Sequence, residues 1–293
     1  MRPVVHVTGP VPARVEAALR ETFTLAEGPE GVDGILSLLG TRVDAALLER
    51  AGPQLRIVAN YGAGVDNVDL EAARSRSVLV ANTPDVLTET TAELAIALTL
   101  ALLRRVAEGD RFVRRRERWS FSLEFMLGES LRGKTFGVVG PGRIGRATAR
   151  LAEALGATPA FAGRTDDLGA LLSTADVVSL HCPLNRETHH MIDREALERM
   201  RPSAVLVNTA RGPIVDEHAL VAALREGVIA GAALDVYEHE PKVAEELLSL
   251  DNVVLTPHLG SATRETREAM GLLAVSALRA VLVDGRTPPN VIL

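Results

Sequence analysis

The chain has one cysteine, Cys182, two lysines, Lys134 and Lys242, and one glutamine, Gln54, among its 293 residues. A single cysteine cannot close a disulfide within the chain, and no Cys/His spacing has the form of a zinc site, so no metal is expected. No long apolar run is present either. The longest, Leu94–Leu103, is about half of the ~20 residues that a membrane span needs. There is no excess of basic residues: 32 against 38 acidic leave a net charge of −6, which excludes nucleic acid and anionic membrane as expected partners. The arginine-rich stretch Arg111–Arg118 is local and reads as a solvated or interface helix. The start, MRPVVHVTGPVP, lacks the apolar core of a signal peptide and reads as strand and turn, so a soluble, cytoplasmic protein is expected. Arginine-rich charge with little glutamine fits a thermophilic source and a GC-rich genome equally.

What is present is enough apolar surface, 47% hydrophobic residues against 24% charged, for two cores at ~150 residues per domain. Short β-type runs alternate with amphipathic stretches. Strands are predicted at Val4–Thr8, Gly34–Leu38, Arg56–Ala59, Val78–Ala81, Thr135–Val139, Pro159–Ala162, Val177–His181, Val205–Asn208, Ala230–Leu234 and Val253–Thr256. Helices are predicted at Ala13–Glu21, Asp44–Arg50, Thr90–Arg104, Arg143–Leu155 and Asp216–Glu226, the last stopped by Gly227. This alternation implies an α/β fold with parallel sheets and helices on both faces.

Gly140-Pro-Gly142-Arg143-Ile144-Gly145 has the spacing G-x-G-x-x-G, follows an apolar strand and opens a helix. That context marks a dinucleotide-binding Rossmann domain, with pyrophosphate received at the helix N-terminus. Most of the seven histidines have bland surroundings: His189, His190, His218 and His239 sit in polar, exposed-looking segments. His258 differs, because Thr256-Pro257-His258 follows a strand. Arg211 and Glu240 also stand just past strands, where open α/β sheets present ligands. The set suits reduction of a 2-keto acid. Histidine protonates the alkoxide left by hydride addition, a carboxylate supports the imidazolium, and a guanidinium forks onto the substrate carboxylate.

The segments VVGPGRIG, HCPLNRET, VNTARG, ALDVYEHEP and LTPHLGSAT, in that order, closely resemble the D-isomer-specific 2-hydroxyacid dehydrogenase family. The resemblance implies Arg211, Glu240 and His258 as catalytic residues. It implies cofactor contacts at Gly140, Gly142, Arg143, Ile144, Gly145, Gly163, Arg164, Thr165, Cys182, Pro183, Thr188, Thr209, Ala210, Asp235 and Gly260. The segments Ile57–Asp69, Asn82–Leu87 and Gly109–Val113 are most similar to glyoxylate/hydroxypyruvate reductases, and imply that Ala63 and Gly64 hold the substrate carboxylate together with Arg211. The expected fold has two doubly wound parallel-sheet domains. A Rossmann cofactor domain, 86–263, is inserted in a smaller flavodoxin-like substrate domain, 1–85 continued by 264–293. A homodimer built on the helices after Thr88 is implied, with Trp119, Phe121, Phe125 and Met126 near the interface and the site mouth. No serine-sensing domain is expected after Leu293.

Two departures from the family pattern stand out. Pro141 replaces a leucine, and the stretch from Thr165 to Asp176 is short, which trims the wall of the adenine pocket. Gly163 stands where NAD-binding relatives carry an acidic residue, and Arg164 and Thr165 follow it. NADP(H) is therefore the expected cofactor. NAD(H) is the alternative if Asp166 or Asp167 takes the acidic role. The expected activity is reduction of glyoxylate or hydroxypyruvate to the D-2-hydroxy acid. The rivals are a D-3-phosphoglycerate dehydrogenase-like enzyme and a dinucleotide-sensing, corepressor-like binding protein.

Overall fold

The computed structural model describes residues 2–293; Met1, which opens the first predicted segment, lies outside the described residues. Two compact units emerge: residues up to Leu87 together with Ser261–Leu293, and Thr88–Gly260. The boundaries expected at 85 and 263 thus fall at 87 and 260.

The first unit contains β1 (Val4–Val7), α1 (Ala13–Thr22), β2 (Thr24–Ala26), β3 (Gly34–Leu38), α2 (Ala45–Ala51), β4 (Ile57–Tyr61), α3 (Leu70–Ser75) and β5 (Leu79–Ala81). Its strands run parallel in the order β2-β1-β3-β4-β5, the flavodoxin-like arrangement. The short edge strand β2 is an addition to the predicted set. Asp44 and Asp69 start α2 and α3 by accepting the amides of Leu47 and Ala72, each at 2.9 Å. The C-terminal helix, Arg264–Leu282, returns to this unit and lays Leu278 and Leu282 against Gly34.

The second unit contains α4 (Thr88–Leu103), α5 (Val106–Arg114), β6 (Thr135–Val139), α6 (Arg143–Ala154), β7 (Thr158–Ala162), α7 (Leu168–Thr174), β8 (Val177–Leu180), α8 (Arg194–Arg199), β9 (Val205–Asn208), α9 (Glu217–Glu226), β10 (Gly231–Leu234), α10 (Glu245–Leu248) and β11 (Val253–Leu255). Side chains alternate between its two faces. Val178, Leu180, Leu206 and Leu234 join a core with Leu172, Leu197 and Leu224 on α7, α8 and α9. Phe136, Val138, Val207 and Ala233 join the opposite core with Ile96 on α4 and Ala149 on α6. The helix expected over Arg111–Arg118 lies earlier, at Val106–Arg114. There Asp110 and Arg114 pair at 2.8 Å one turn apart, and the arginines after 115 leave the helix. Among the described residues, no helix is long and apolar enough to cross a membrane.

The second sheet has the parallel order β7-β6-β8-β9-β10-β11. The chain steps from β6 outward to β7, then returns past β6 to β8. The winding direction therefore reverses between β6 and β8, where open α/β sheets leave their ligand crevice. Among the described residues no strand lies outside β7. The short segment after Thr165 forms only α7, and Phe161 on this edge strand stays 45% exposed.

Candidate active site

Strands β9, β10 and β11 are neighbours, and Asn208, Leu234 and Leu255 pair at one level across them. The loops that follow therefore leave the sheet side by side, bringing Arg211, Glu240 and His258 together. His258 Nδ1 lies 2.8 Å from Glu240 Oε2. A carboxylate only accepts, so Nδ1 carries the proton and Nε2 is the nitrogen left to act. Both side chains are about a third exposed, 33% and 35%. Burial would raise the Glu240 carboxyl. The hydrogen bond and charge of His258, the Tyr237 amide and the nearby Arg211 charge outweigh it and hold the group below its ordinary 4.5.

His258 has a left-handed backbone, φ 54°, which a non-glycine residue adopts only when its surroundings impose it. Asp235 does so. Its carbonyl accepts the His258 amide at 2.8 Å. Its fully buried carboxylate accepts the Leu259 amide at 2.7 Å, the Gly260 amide at 2.8 Å and the Thr256 hydroxyl at 2.6 Å. On the next loop, Asn208 folds Thr209–Arg211 by accepting the Ala210 amide at 3.0 Å and donating to the Arg211 carbonyl at 2.9 Å.

At the switch point, Gly140 has φ 88°, and a Cβ there would lie 2.6 Å from the Cys182 nitrogen, so glycine is required twice over. The backbone of His181 and Cys182 thus backs the glycine loop. Burial pushes the Cys182 thiol up to about 11, which makes it a packing group rather than a nucleophile. Beside it, burial pushes His181 down to about 4, so this imidazole stays neutral against Ser179.

Residues 96–260 match the family described as D-isomer specific 2-hydroxyacid dehydrogenase, NAD binding domain. The chain belongs to that family. It is 47% identical to the glyoxylate reductase of Thermococcus litoralis, over 92% of this chain and 86% of the relative. It is 45% identical to that of Pyrococcus furiosus, over 100% and 96%. Among solved structures, the NADPH-dependent glyoxylate/hydroxypyruvate reductase of Sinorhizobium meliloti, in complex with NADP and malonate, has a TM-score of 0.89 at 37% identity. That match covers 100% of this chain and 97% of the other. This dehydrogenase is therefore an oxidoreductase with a Rossmann domain for a nicotinamide dinucleotide.

The residues present fit such a cofactor. A Cβ at Gly142 would meet nothing within 4 Å, which leaves the N-terminus of α6 open to a phosphate group, with Arg143 and Ile144 in the first turn and no acidic residue there. Thr209, 8% exposed, has a hydroxyl with no partner, a polar atom of the kind a ligand satisfies. At the far end of the crevice, Gly163 donates its amide to Asp166 Oδ2 at 2.7 Å, while the exposed Arg164 pairs with Glu187 at 2.7 Å and Thr165 is exposed. Asp167 is occupied as the cap of α7, accepting the Ala170 amide at 3.1 Å. The Thr188 hydroxyl folds its own loop by donating to the Pro183 carbonyl at 2.7 Å.

In the first unit, the loop after β4 is held through its carbonyls. Gly62 accepts the Thr83 amide at 2.9 Å, Ala63 accepts the Asn82 side chain at 2.7 Å, and Gly64 accepts the Asn60 side chain at 2.8 Å. In trans peptides, the amides of Ala63 and Gly64 point opposite to the bound carbonyls before them.

Sequence reasoning missed several participants. It treated Asp235 as a cofactor contact, without its hold on the His258 loop. It grouped His190 with exposed residues, whereas that side chain is 35% exposed and lies 2.7 Å from Glu238. The one signal was position, since Asp235 immediately follows β10 and Glu238 lies three residues further along the same loop.

Proposed function

We propose that this dehydrogenase reduces a small 2-keto acid, glyoxylate or hydroxypyruvate, to the D-2-hydroxy acid. The observation that carries the reading is the 2.8 Å His258–Glu240 bond with Arg211 on the adjoining loop. The activities named for the archaeal and Sinorhizobium relatives support the same substrate class. A reduced nicotinamide dinucleotide, held at the glycine loop of Gly140, Gly142 and Gly145, would supply the hydride for the carbonyl carbon. His258 Nε2 gives its proton to the carbonyl oxygen, and Glu240 orients the ring and stabilises the imidazolium before that transfer. Arg211 binds the substrate carboxylate and polarises the carbonyl, and the amides of Ala63 and Gly64 are assigned to the same carboxylate.

NADPH is the proposed cofactor, with Gly140, Gly142, Gly145, Cys182, Pro183, Thr188, Thr209, Ala210, Asp235 and Gly260 along its length. Gly163 supplies no carboxylate of its own, and Arg164 and Thr165 stand ready for a 2′-phosphate. An exposed pair such as Arg164–Glu187 is worth only about 0–1 kcal/mol, so a phosphate draws Arg164 away easily. The proposed assembly is a homodimer. Trp119 is 61% exposed, Phe121 85% and Leu123 84%, an apolar segment that a second copy would cover.

The test is steady-state reduction of glyoxylate, hydroxypyruvate and 3-phosphohydroxypyruvate with each reduced cofactor. Turnover in the ordinary range of ~1–10³ per second on the first two supports the reading. Preference for the phosphorylated acid favours the phosphoglycerate dehydrogenase alternative, and dinucleotide binding without turnover favours the sensor. His258→Ala should lower kcat roughly 10²–10⁴-fold.

A further inference from the structure

The loops that carry Arg211 and Glu240 touch backbone to backbone. A Cβ on Gly212 would lie 1.9 Å from the carbonyl carbon and oxygen of Tyr237 and 2.4 Å from the amide nitrogen of Glu238, so the chain after Arg211 rests on the Tyr237–Glu238 peptide. The same residues support Glu240, whose Oε1 accepts the Tyr237 amide at 3.0 Å. Tyr237 thus meets both loops, its carbonyl at Gly212 and its amide, one peptide earlier, at Glu240, so a displacement of this residue reaches both Arg211 and Glu240.

The Glu238 side chain holds the peptide in place. Its Oε1 accepts from His190 Nε2 at 2.7 Å and its Oε2 accepts the Glu217 amide at 3.2 Å. Glu217 Oε2 in return accepts the Glu238 amide at 3.2 Å. Glu217 is the first residue of α9, so the Glu238 carboxylate also meets the positive end of a helix. His190 is itself anchored, with φ 50° and its amide donated to the Pro213 carbonyl at 2.8 Å, one residue past Gly212. The carboxylate is only 16% exposed, so water screens these bonds poorly.

We infer that Glu238 is a positioning residue for the reduction: through His190 and the start of α9 it locks the Tyr237–Glu238 peptide, and with it the placement of Arg211 and Glu240. This role rests on the proposed function of those two residues. Glu238 shares no bonding partner with Glu240 and takes no part in the proton path.

The experiment compares Glu238→Ala, Glu238→Gln and His258→Ala with the unaltered enzyme in glyoxylate reduction, alongside NADPH and NADH affinity by fluorescence. Glu238→Ala should lower kcat/KM by about tenfold or more, with kcat falling through Glu240 and KM rising through Arg211. Dinucleotide Kd should change by less than about twofold, because the glycine loop is untouched. Glu238→Gln should restore most of the loss: its amide oxygen can accept from Glu217 and its NH2 can bond His190. Unaltered kinetics in Glu238→Ala overturns the inference, as does loss of activity and dinucleotide affinity in equal proportion, or failure of glutamine to restore. If the alanine variant does not fold, Glu238→Gln and His190→Ala carry the test. His190→Ala should then fall between wild type and a tenfold loss, and wild-type kinetics in it overturns the inference. An active His258→Ala sinks the catalytic reading as a whole, whereas an inactive one beside a fully active Glu238→Ala sinks only the role of Glu238.

Discussion

The carbonyl of Asp235 accepts the backbone amide of His258 at 2.8 Å, while the carboxylate of the same aspartate gathers the next two amides. One buried residue just past β10 thus shapes the loop after β11 and holds His258 in its left-handed conformation. Asp235→Asn should turn an NH2 group toward one of the donating amides, leaving a buried donor unmatched at a cost of about 1–3 kcal/mol. The expected outcome is a lower melting temperature and a kcat reduced by about 10–100-fold. Calorimetry and single-turnover kinetics check it. A variant with unaltered melting and turnover would remove Asp235 from this role.

The acid behaviour of the enzyme follows from Glu240. Its folded pKa lies below the ordinary 4.5, so the ionised form, and its support of His258, is complete above that value and lost only as pH falls through the depressed pKa. Reduction should therefore persist through pH 4.5 and be lost only as the pH falls through the depressed pKa of Glu240, provided the fold survives. Glu240→Gln removes the charge that favours imidazolium, so the alkaline limit of kcat/KM should move to lower pH. A pH–rate profile that matches wild type in this variant would refute the assignment.

Cofactor choice turns on a carboxylate from outside the second strand. Asp166 folds back onto the Gly163 amide, at the corner where a ribose 2′-oxygen is expected. Its carboxylate can accept from a 2′-hydroxyl and opposes a 2′-phosphate, so the NADPH proposal requires Arg164 and Thr165 to outweigh it. Asp166→Asn should raise kcat/KM for NADPH and lower it for NADH, whereas Arg164→Ala should weaken NADPH alone. Competition assays with both reduced cofactors read the ratio. Equal kcat/KM for the two cofactors in the unaltered enzyme, or a preference for NADH, would sink the NADPH proposal.

The segment after α5 gives a test of assembly. Trp119 stacks on Phe125 at 5.9 Å between ring centroids, and Phe125 meets Phe112 edge-on at 5.5 Å, so part of this segment is ordered by its own rings. Phe121 and Leu123 stay almost bare. Replacing both with serine should leave the melting of an isolated protomer nearly unchanged and yield a monomer by analytical ultracentrifugation, because only intermolecular burial is lost. A double variant that remains dimeric would assign the interface elsewhere.

Local chemistry made much of this protein legible from its sequence. Short continuous apolar runs located Thr135–Val139 and Val205–Asn208 to the residue, and Asp44, Asp216 and Gly227 marked helix ends, because caps and buried strands of this kind depend on near neighbours. The glycine spacing and the strand-end positions of Arg211, Glu240 and His258 were readable for the same reason. Strand β2 was not, since three edge residues carry no period. Nor was the start of α5, where the ion pairs rather than the arginine run set the limits. The contacts that organise the site lay beyond any local pattern. Asp235 reaching residues 24 and 25 positions ahead, Glu240 reaching 18, and Glu238 meeting residues 21 and 48 positions back all depend on β9, β10 and β11 lying in register. Register is settled by how whole strands and helices pack together, so only the tertiary structure decided which of the residues past each strand would face one another.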